Sequence, residues 1–234
     1  MKVAILIDGG FFLKRFPTIH PDKDKRDPNI VAKCIGSLIR KHLEKLNKDV
    51  CVKEPWSLLY RSFFYDARPF SENAMLPVTR RQINLRNSDT ARFRNELFDL
   101  LSAMPKMALR LGTVQRKSNR SWVISGEAQK KLLTQELNVD ELVDDDFQLN
   151  VGQKGVDMRL GLDVASLTLK KQVDTIVLVT GDADFVPAAK LARREGVSIN
   201  LDPLWQNVAK DLFEHIDGLY SGVQNPSRRQ RNDS

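Results

Sequence analysis

Asp182 and Asp184 stand one residue apart, where the apolar run Thr175-Ile-Val-Leu-Val-Thr gives way to Gly181. Such a run reads as a buried strand, so both carboxylates fall at a strand's carboxyl end. Asp8 repeats the arrangement, because Lys2-Val-Ala-Ile-Leu-Ile leads into Asp8-Gly9-Gly10. Asp157 follows Lys154-Gly155 at the start of an expected helix. In open α/β sheets ligands bind beyond the carboxyl ends of the strands, and acids far apart in sequence can converge there. Carboxylates gathered without His or Cys suit Mg²⁺ or Mn²⁺, one ion or two. Such ions activate water, neutralise a scissile phosphate and stabilise the departing oxygen.

Each acid also has an ordinary role open to it. Asp184 precedes a helix and can cap its free N–H groups, with Pro187 in the first turn. That role accounts for one acid of the 182/184 pair and leaves the other. Asp157 can serve as a helix-start acid favoured by the dipole. Asp8-Gly9-Gly10 can be a plain turn, or one in which glycine lets the backbone approach a phosphate. Gly161 lies one turn beyond Asp157 and leaves room above its carboxylate. Asp163, six positions on, is turned well around the helix and is a lesser candidate. Asp66, at a further strand end, and Asp144-Asp145-Asp146 read as solvated loop acids.

These acids need a sheet to position them, and the spacing of apolar residues supplies one. Ile30 to Leu46 has helical periodicity with basic residues between the apolar ones, and Trp56 to Tyr65 reads as a second strand. Asp89 to Met104 and Glu127 to Leu137 read as helices. Met107 to Gln115 and Ser121 to Ser125 read as a pair of strands around Lys117-Ser-Asn-Arg. Phe147 to Val151 is a short strand, Val156 to Leu169 an apolar helix, Phe185 to Arg194 a helix and Val197 to Leu201 a strand after the Gly196 stop. This order specifies an α/β fold, a three-layer Rossmann-like domain with a mostly parallel central sheet and a central insertion. We expect one domain over residues 1–222 with the insertion at about 69–150, the part expected to recognise substrate, and a polar, disordered tail over 223–234.

Composition narrows the partners. Of 234 residues, 37 are Lys or Arg and 30 Asp or Glu, a formal charge of +7 that favours polyanions. The basic residues concentrate between Arg61 and Lys131, which includes Arg80, Arg81, Arg86, Arg92 and Arg94, whereas Leu132 to Asp146 is acidic. The basic stretch is either a solvated face or a surface for a phosphate backbone, and strand-end acids beside it favour the second. Cys34, Cys51, His20, His42 and His215 show no zinc spacing. No apolar run approaches the ~20 residues of a membrane span, and Asp8 interrupts the apolar N-terminus, so neither a membrane partner nor a secretory signal is expected. A cytoplasmic location follows, and homodimerisation is left open.

Ile7-Asp8-Gly9, Lys154-Gly155-Val156-Asp157 and Thr180-Gly181-Asp182-Ala183-Asp184-Phe185 together resemble the NYN-domain family, in its LabA-like branch among the PIN-like nucleases. The resemblance spans most of the chain in the right order. It implies a Rossmann-like PIN fold, metal-dependent cleavage of RNA, and a catalytic and metal-binding set at Asp8, Asp157, Asp182 and Asp184. It also carries over Lys154-Gly155 as the lead-in to the helix acid. Many relatives have Asn or another polar residue shortly after the first Asp-Gly, where this chain has Gly10-Phe11-Phe12. The leading expectation is a Mg²⁺- or Mn²⁺-dependent endoribonuclease whose Lys154 and arginine group hold backbone phosphates. The alternative is a catalytically weak or inactive RNA-binding, regulatory scaffold. Asp-x-Asp after a strand also occurs in nucleotide-sugar glycosyltransferases, and strand-end Asp in aspartyl-phosphate phosphatases. The phosphatases place a second acid where this chain has Gly10.

Overall fold

The computed structural model describes residues 1–119 and 121–226. In chain order the elements are β1 (Val3–Asp8), α1 (Gly9–Ile19), α2 (Pro28–Val50), β2 (Leu59–Ala67), β3 (Asn73–Met75), β4 (Gln82–Asn84), α3 (Asp89–Ser102) and β5 (Met107–Arg116). There follow β6 (Trp122–Ile124), α4 (Gly126–Leu133), β7 (Phe147–Leu149), β8 (Val151–Lys154), α5 (Val156–Leu169) and β9 (Thr175–Val179). The chain continues through α6 (Val186–Arg194), β10 (Ser198–Asp202), α7 (Lys210–Phe213) and β11 (Gly218–Leu219). They form two compact units: Met1–Asp66, Glu96–Gly112 and the chain from Gly155 make the first, Ala67–Asn95 and Thr113–Lys154 the second. The stretch expected as a single insertion is thus divided, with Glu96–Gly112 belonging to the first unit.

The first unit is α/β, with its strands in the order β11-β10-β9-β1-β2-β5. The pairs β1–β2, β1–β9, β9–β10 and β10–β11 are all parallel. Val3 to Ile7 and Ile176 to Val179 are fully buried on both pleat faces. A sheet closed off on both faces needs helices on both, which is the three-layer Rossmann-like arrangement. From β1 the chain crosses to β2 on one side, whereas β9, β10 and β11 build outward on the other. The carboxyl end of β1 is therefore a topological switch point.

Four local expectations are corrected. Asp8-Gly9-Gly10 is no turn, since α1 begins at Gly9 with Asp8 as its N-cap. Phe12, Phe16 and Ile19 repeat at helical spacing and are buried, which outweighs the two glycines and Pro17. Second, β5 and β6 do not pair with each other. In the second unit β5 pairs antiparallel with β8, and β6 with β7. Third, the single strand expected over Phe147 to Val151 is two strands, β7 and β8, and the second runs on to Lys154. Fourth, Asp66 is fully buried within β2 and is no solvated loop acid. Residues 227–234 of the polar tail lie outside the described residues, while Val223, at its start, is buried and accepts a hydrogen bond from Trp205 Nε1 at 2.8 Å.

Gly9 has a packing reason. A Cβ placed there would lie 2.5 Å from the Phe64 ring and 2.7 Å from the Tyr65 carbonyl oxygen, and backbone cannot yield cheaply. Gly9→Ala is expected to destabilise the fold by about 1–3 kcal/mol, read from the urea midpoint; an unchanged midpoint would contradict this packing.

Asp163 belongs to a separate polar cluster. The buried Tyr65 hydroxyl donates to Asp163 Oδ2 at 2.8 Å and Arg110 Nε donates to the same oxygen at 2.7 Å. The Arg110 guanidinium lies over the Phe63 ring at 5.0 Å. Burial, followed by the charge of Asp163, pushes the Tyr65 pKa far above the ordinary tyrosine range. The folded state therefore holds a proton that the unfolded chain releases above pH ~10. Stability contributed by Tyr65 is full below that pH and falls as pH rises beyond it. Urea midpoints should decline between about pH 9.5 and 11 more steeply in wild type than in Tyr65→Phe; parallel declines would refute the assignment.

Candidate active site

The parallel register sets the site. Ile7 lies opposite Val179, so the next residues, Asp8 and Thr180, emerge side by side at the carboxyl edge. The Thr180 hydroxyl donates to Asp8 Oδ2 at 3.3 Å and accepts from the Asp182 N–H at 3.2 Å. This buried threonine, which sequence reasoning passed over, positions two of the acids. Its signal was an Ser/Thr-type turn in Thr180-Gly181-Asp182.

Asp8 is half-buried, and its Oδ1 accepts from the Phe11 N–H at 3.0 Å, closing the first turn of α1. Asp182 caps the 3₁₀ turn Ala183–Phe185 by accepting from the Asp184 N–H at 2.9 Å. The capping role expected of Asp184 thus falls to Asp182. The N-cap of α6 is Phe185, and Asp184 is exposed within the turn. Asp157 sits exposed in the first turn of α5, which contacts both this 3₁₀ turn and α6. Gly161 has open space around it, as its spacing from Asp157 implied.

Electrostatics links all four carboxylates. Burial raises the pKa of Asp8, the Phe11 N–H and Thr180 hydroxyl oppose that, and the charges of Asp157 and Asp182 add to it. Asp157 is raised as well, by partial burial first and then by Asp182 and Asp184. Acids from β1, α5 and the turn after β9 therefore repel one another at one edge of the sheet. Such a group is held together at a cost that a cation relieves.

The stretch containing three of these acids is diagnostic. The sequence profile of the NYN domain matches residues 111–217. This part of the chain is an NYN domain. NYN domains are PIN-like nucleases, and the match takes in Asp157, Asp182 and Asp184 but not Asp8, which the β1–β9 register adds. The uncharacterized protein MJ0482 of Methanocaldococcus jannaschii is 25% identical over 81 residues, covering 33% of this chain and 34% of that protein. The chain thus spans about a third of the length of the curated relative it matches. The crystal structure of a protein of unknown function, VPA0982 from Vibrio parahaemolyticus, aligns with a TM-score of 0.44 and 13% identity, covering 93% of this chain and 90% of that chain.

Among the described residues no three His, Cys, Asp or Glu side chains stand close enough to cage a metal ion. The donor set of the NYN domain still fits a hard cation, because Mg²⁺ commonly takes one or two carboxylates, keeps several waters and shares substrate phosphate oxygens. Phe11 places its ring where a Cβ on Gly181 would be 2.7 Å away. The ring therefore packs against the residue that precedes Asp182.

The basic residues singled out from sequence, Arg80, Arg81, Arg86, Arg92, Arg94 and Lys154, all lie in the second unit. Arg80 has a left-handed backbone, φ 58°, in the turn between β3 and β4. Asp144 anchors that turn by accepting from the Val78 N–H at 2.8 Å and the Thr79 hydroxyl at 2.5 Å. The hydroxyl bond is the main cause of its lowered pKa, and Arg81 contributes. Arg92 pairs with Asp89 on α3, and Lys154 is the exposed last residue of β8.

Proposed function

We propose that this protein is a metal-dependent endoribonuclease, of the LabA-like branch, that hydrolyses RNA phosphodiester bonds. The observation that carries the reading is the placement of Asp8 and Asp182 by one threonine at the switch point, with Asp184 on the adjoining turn and Asp157 at the start of the helix that contacts it. Asp8, Asp157, Asp182 and Asp184 would hold Mg²⁺ or Mn²⁺, each ion on one or two of them and otherwise on water and phosphate oxygens, with Thr180 holding the Asp8 carboxylate and the Asp182 backbone. A bound cation of this kind supplies an activated water and neutralises the scissile phosphate and the departing oxygen. The carboxylate nearest the attacking water accepts its proton as the water oxygen bonds phosphorus and the phosphorus–ribose oxygen bond breaks.

Arg80, Arg81, Arg86, Arg92, Arg94 and Lys154 would hold backbone phosphates on the second unit. Most are exposed, and a surface ion pair such as Arg92–Asp89 competes weakly with a phosphate backbone. No described helix is long and apolar enough to cross a membrane. A cytoplasmic RNA is the substrate this reading implies. The aromatic Phe11 beside Asp8 favours a second reading, an RNA-binding regulatory scaffold with little turnover. The two are separated by incubating labelled single-stranded and hairpin RNA with Mn²⁺, Mg²⁺ or EDTA. Products that disappear with EDTA support the nuclease; bound but uncut RNA under every condition supports the scaffold.

A further inference from the structure

A concavity of about 380 Å³ opens in the first unit between the turn after α1, the first half of α2 and the segment following β11. Lys23, Lys33 and Lys41 line it, and no Asp or Glu is among its described lining residues. Lys33, Ser37 and Lys41 recur every four residues, so one face of α2 presents two ammonium groups and a hydroxyl. Lys23 is held over the same helix, its Nζ donating to the buried Cys34 Sγ at 3.2 Å and its backbone N–H to the His20 carbonyl at 3.1 Å. Two acids of the adjoining loop, Asp24 and Asp27, are engaged with backbone. Asp24 accepts from the Arg26 N–H at 2.8 Å, and Asp27 from the Asn29 N–H at 2.8 Å.

Three cations around one opening repel one another, and an anion seated among them removes that penalty. Lysine is a compact, strongly hydrated point charge that binds phosphate without the fixed bidentate geometry of an arginine fork. The cavity is not uniformly polar, because Ile30, Leu38 and Val223 contribute apolar surface beside the lysines. Its volume falls within the range of small-molecule sites, which join an apolar wall to a few charged groups. We propose that this concavity binds the phosphate of a nucleotide, with the apolar wall receiving the base or sugar. The site is independent of the carboxylate cluster and needs no divalent cation. The phosphate can belong to a free mononucleotide or to the phosphorylated end of an RNA.

The test is calorimetric titration of the full chain in EDTA with a nucleoside 5′-monophosphate, the parent nucleoside and inorganic phosphate. Competition by oligoribonucleotides carrying a 5′-phosphate or a 5′-hydroxyl follows. The monophosphate should bind, weaken with added salt, and lose at least about tenfold in affinity in Lys33→Gln/Lys41→Gln, whose side chains are exposed and whose replacement leaves the helix intact. In a Cys51→Ser background the same ligand should slow alkylation of Cys34, the thiol lining the cavity. Competition confined to the 5′-phosphorylated oligonucleotide would identify an RNA end as the source; no competition by either would identify the free nucleotide. Absence of monophosphate binding, or equal affinity in the double variant, overturns the proposal. Binding of the nucleoside as tight as its monophosphate overturns it too.

Discussion

Asp157→Asn and Asp182→Asn should each lower Mn²⁺-dependent RNA cleavage by at least about 100-fold, the scale on which removing one preorganised charged group from an active site acts. The exchange of Asp for Asn makes the loss interpretable. Asp182 caps the turn after β9 by accepting from the Asp184 N–H, and an Asn carbonyl oxygen can accept the same bond. Asp157 is exposed at the start of α5, so Asn there disturbs little packing. Both variants should fold and bind RNA as wild type does, since the arginines proposed to hold RNA are untouched. A second readout follows from linkage: Mn²⁺ should raise the melting temperature of wild type and raise it less in either variant. Wild-type cleavage by Asp157→Asn would sink the assignment. Equal inertness of all three proteins on RNA they still bind would transfer the case to the scaffold reading.

The largest effect on stability is expected at Asp202, which has no part in the proposed chemistry. This fully buried carboxylate ends β10 and gathers four donors. They are His42 Nε2 at 2.8 Å, the Ser221 hydroxyl at 2.7 Å, and the Leu204 and Gly222 N–H groups at 2.8 and 2.9 Å. It thereby ties α2 to the loop after β10 and to the segment following β11. Asp202→Ala removes the common acceptor and leaves buried donors, His42 among them, without it. A cost of about 3–5 kcal/mol is expected, because a buried donor left unsatisfied costs about 1–3 kcal/mol and several lose their acceptor together. For a chain of this size that lowers the melting temperature by roughly 6–20 °C. Asp202→Asn keeps an acceptor and should lose less. A shift of under about 2 °C in Asp202→Ala would show that the network contributes little.

Much of this was legible in the chain. The apolar runs at Val3–Ile7 and Thr175–Val179 announced buried strands because nothing polar interrupts them, and each ended at acids now found at the carboxyl edge. The helix Val156–Leu169 matched its expectation residue for residue, with Asp157 in its first turn. Expectation failed where distant residues decided. The glycines at 9 and 10 read as a turn, yet Gly9 is what lets α1 start against Phe64 and Tyr65. Asp66 looked solvated beside a loop, but β2 runs through it. The pairing of β5 and β6 followed nearness in sequence, while each strand's real partner lies more than 20 residues on, at β8 and β7.

The sequence by itself determined which segments are buried strand or amphipathic helix and which acids fall at their ends, because periodicity and chain breaks act within about ten residues. It also carried the motifs that mark an NYN domain. Only the tertiary structure decided that β1 lies between β2 and β9, and hence that Asp8 meets Thr180 and joins acids some 150 residues or more away. It likewise decided that Asp182 rather than Asp184 caps, that Asp202 reaches His42, and that three lysines share one concavity. Strand order and side-chain convergence come from burying whole surfaces together, a long-range balance that no local pattern encodes.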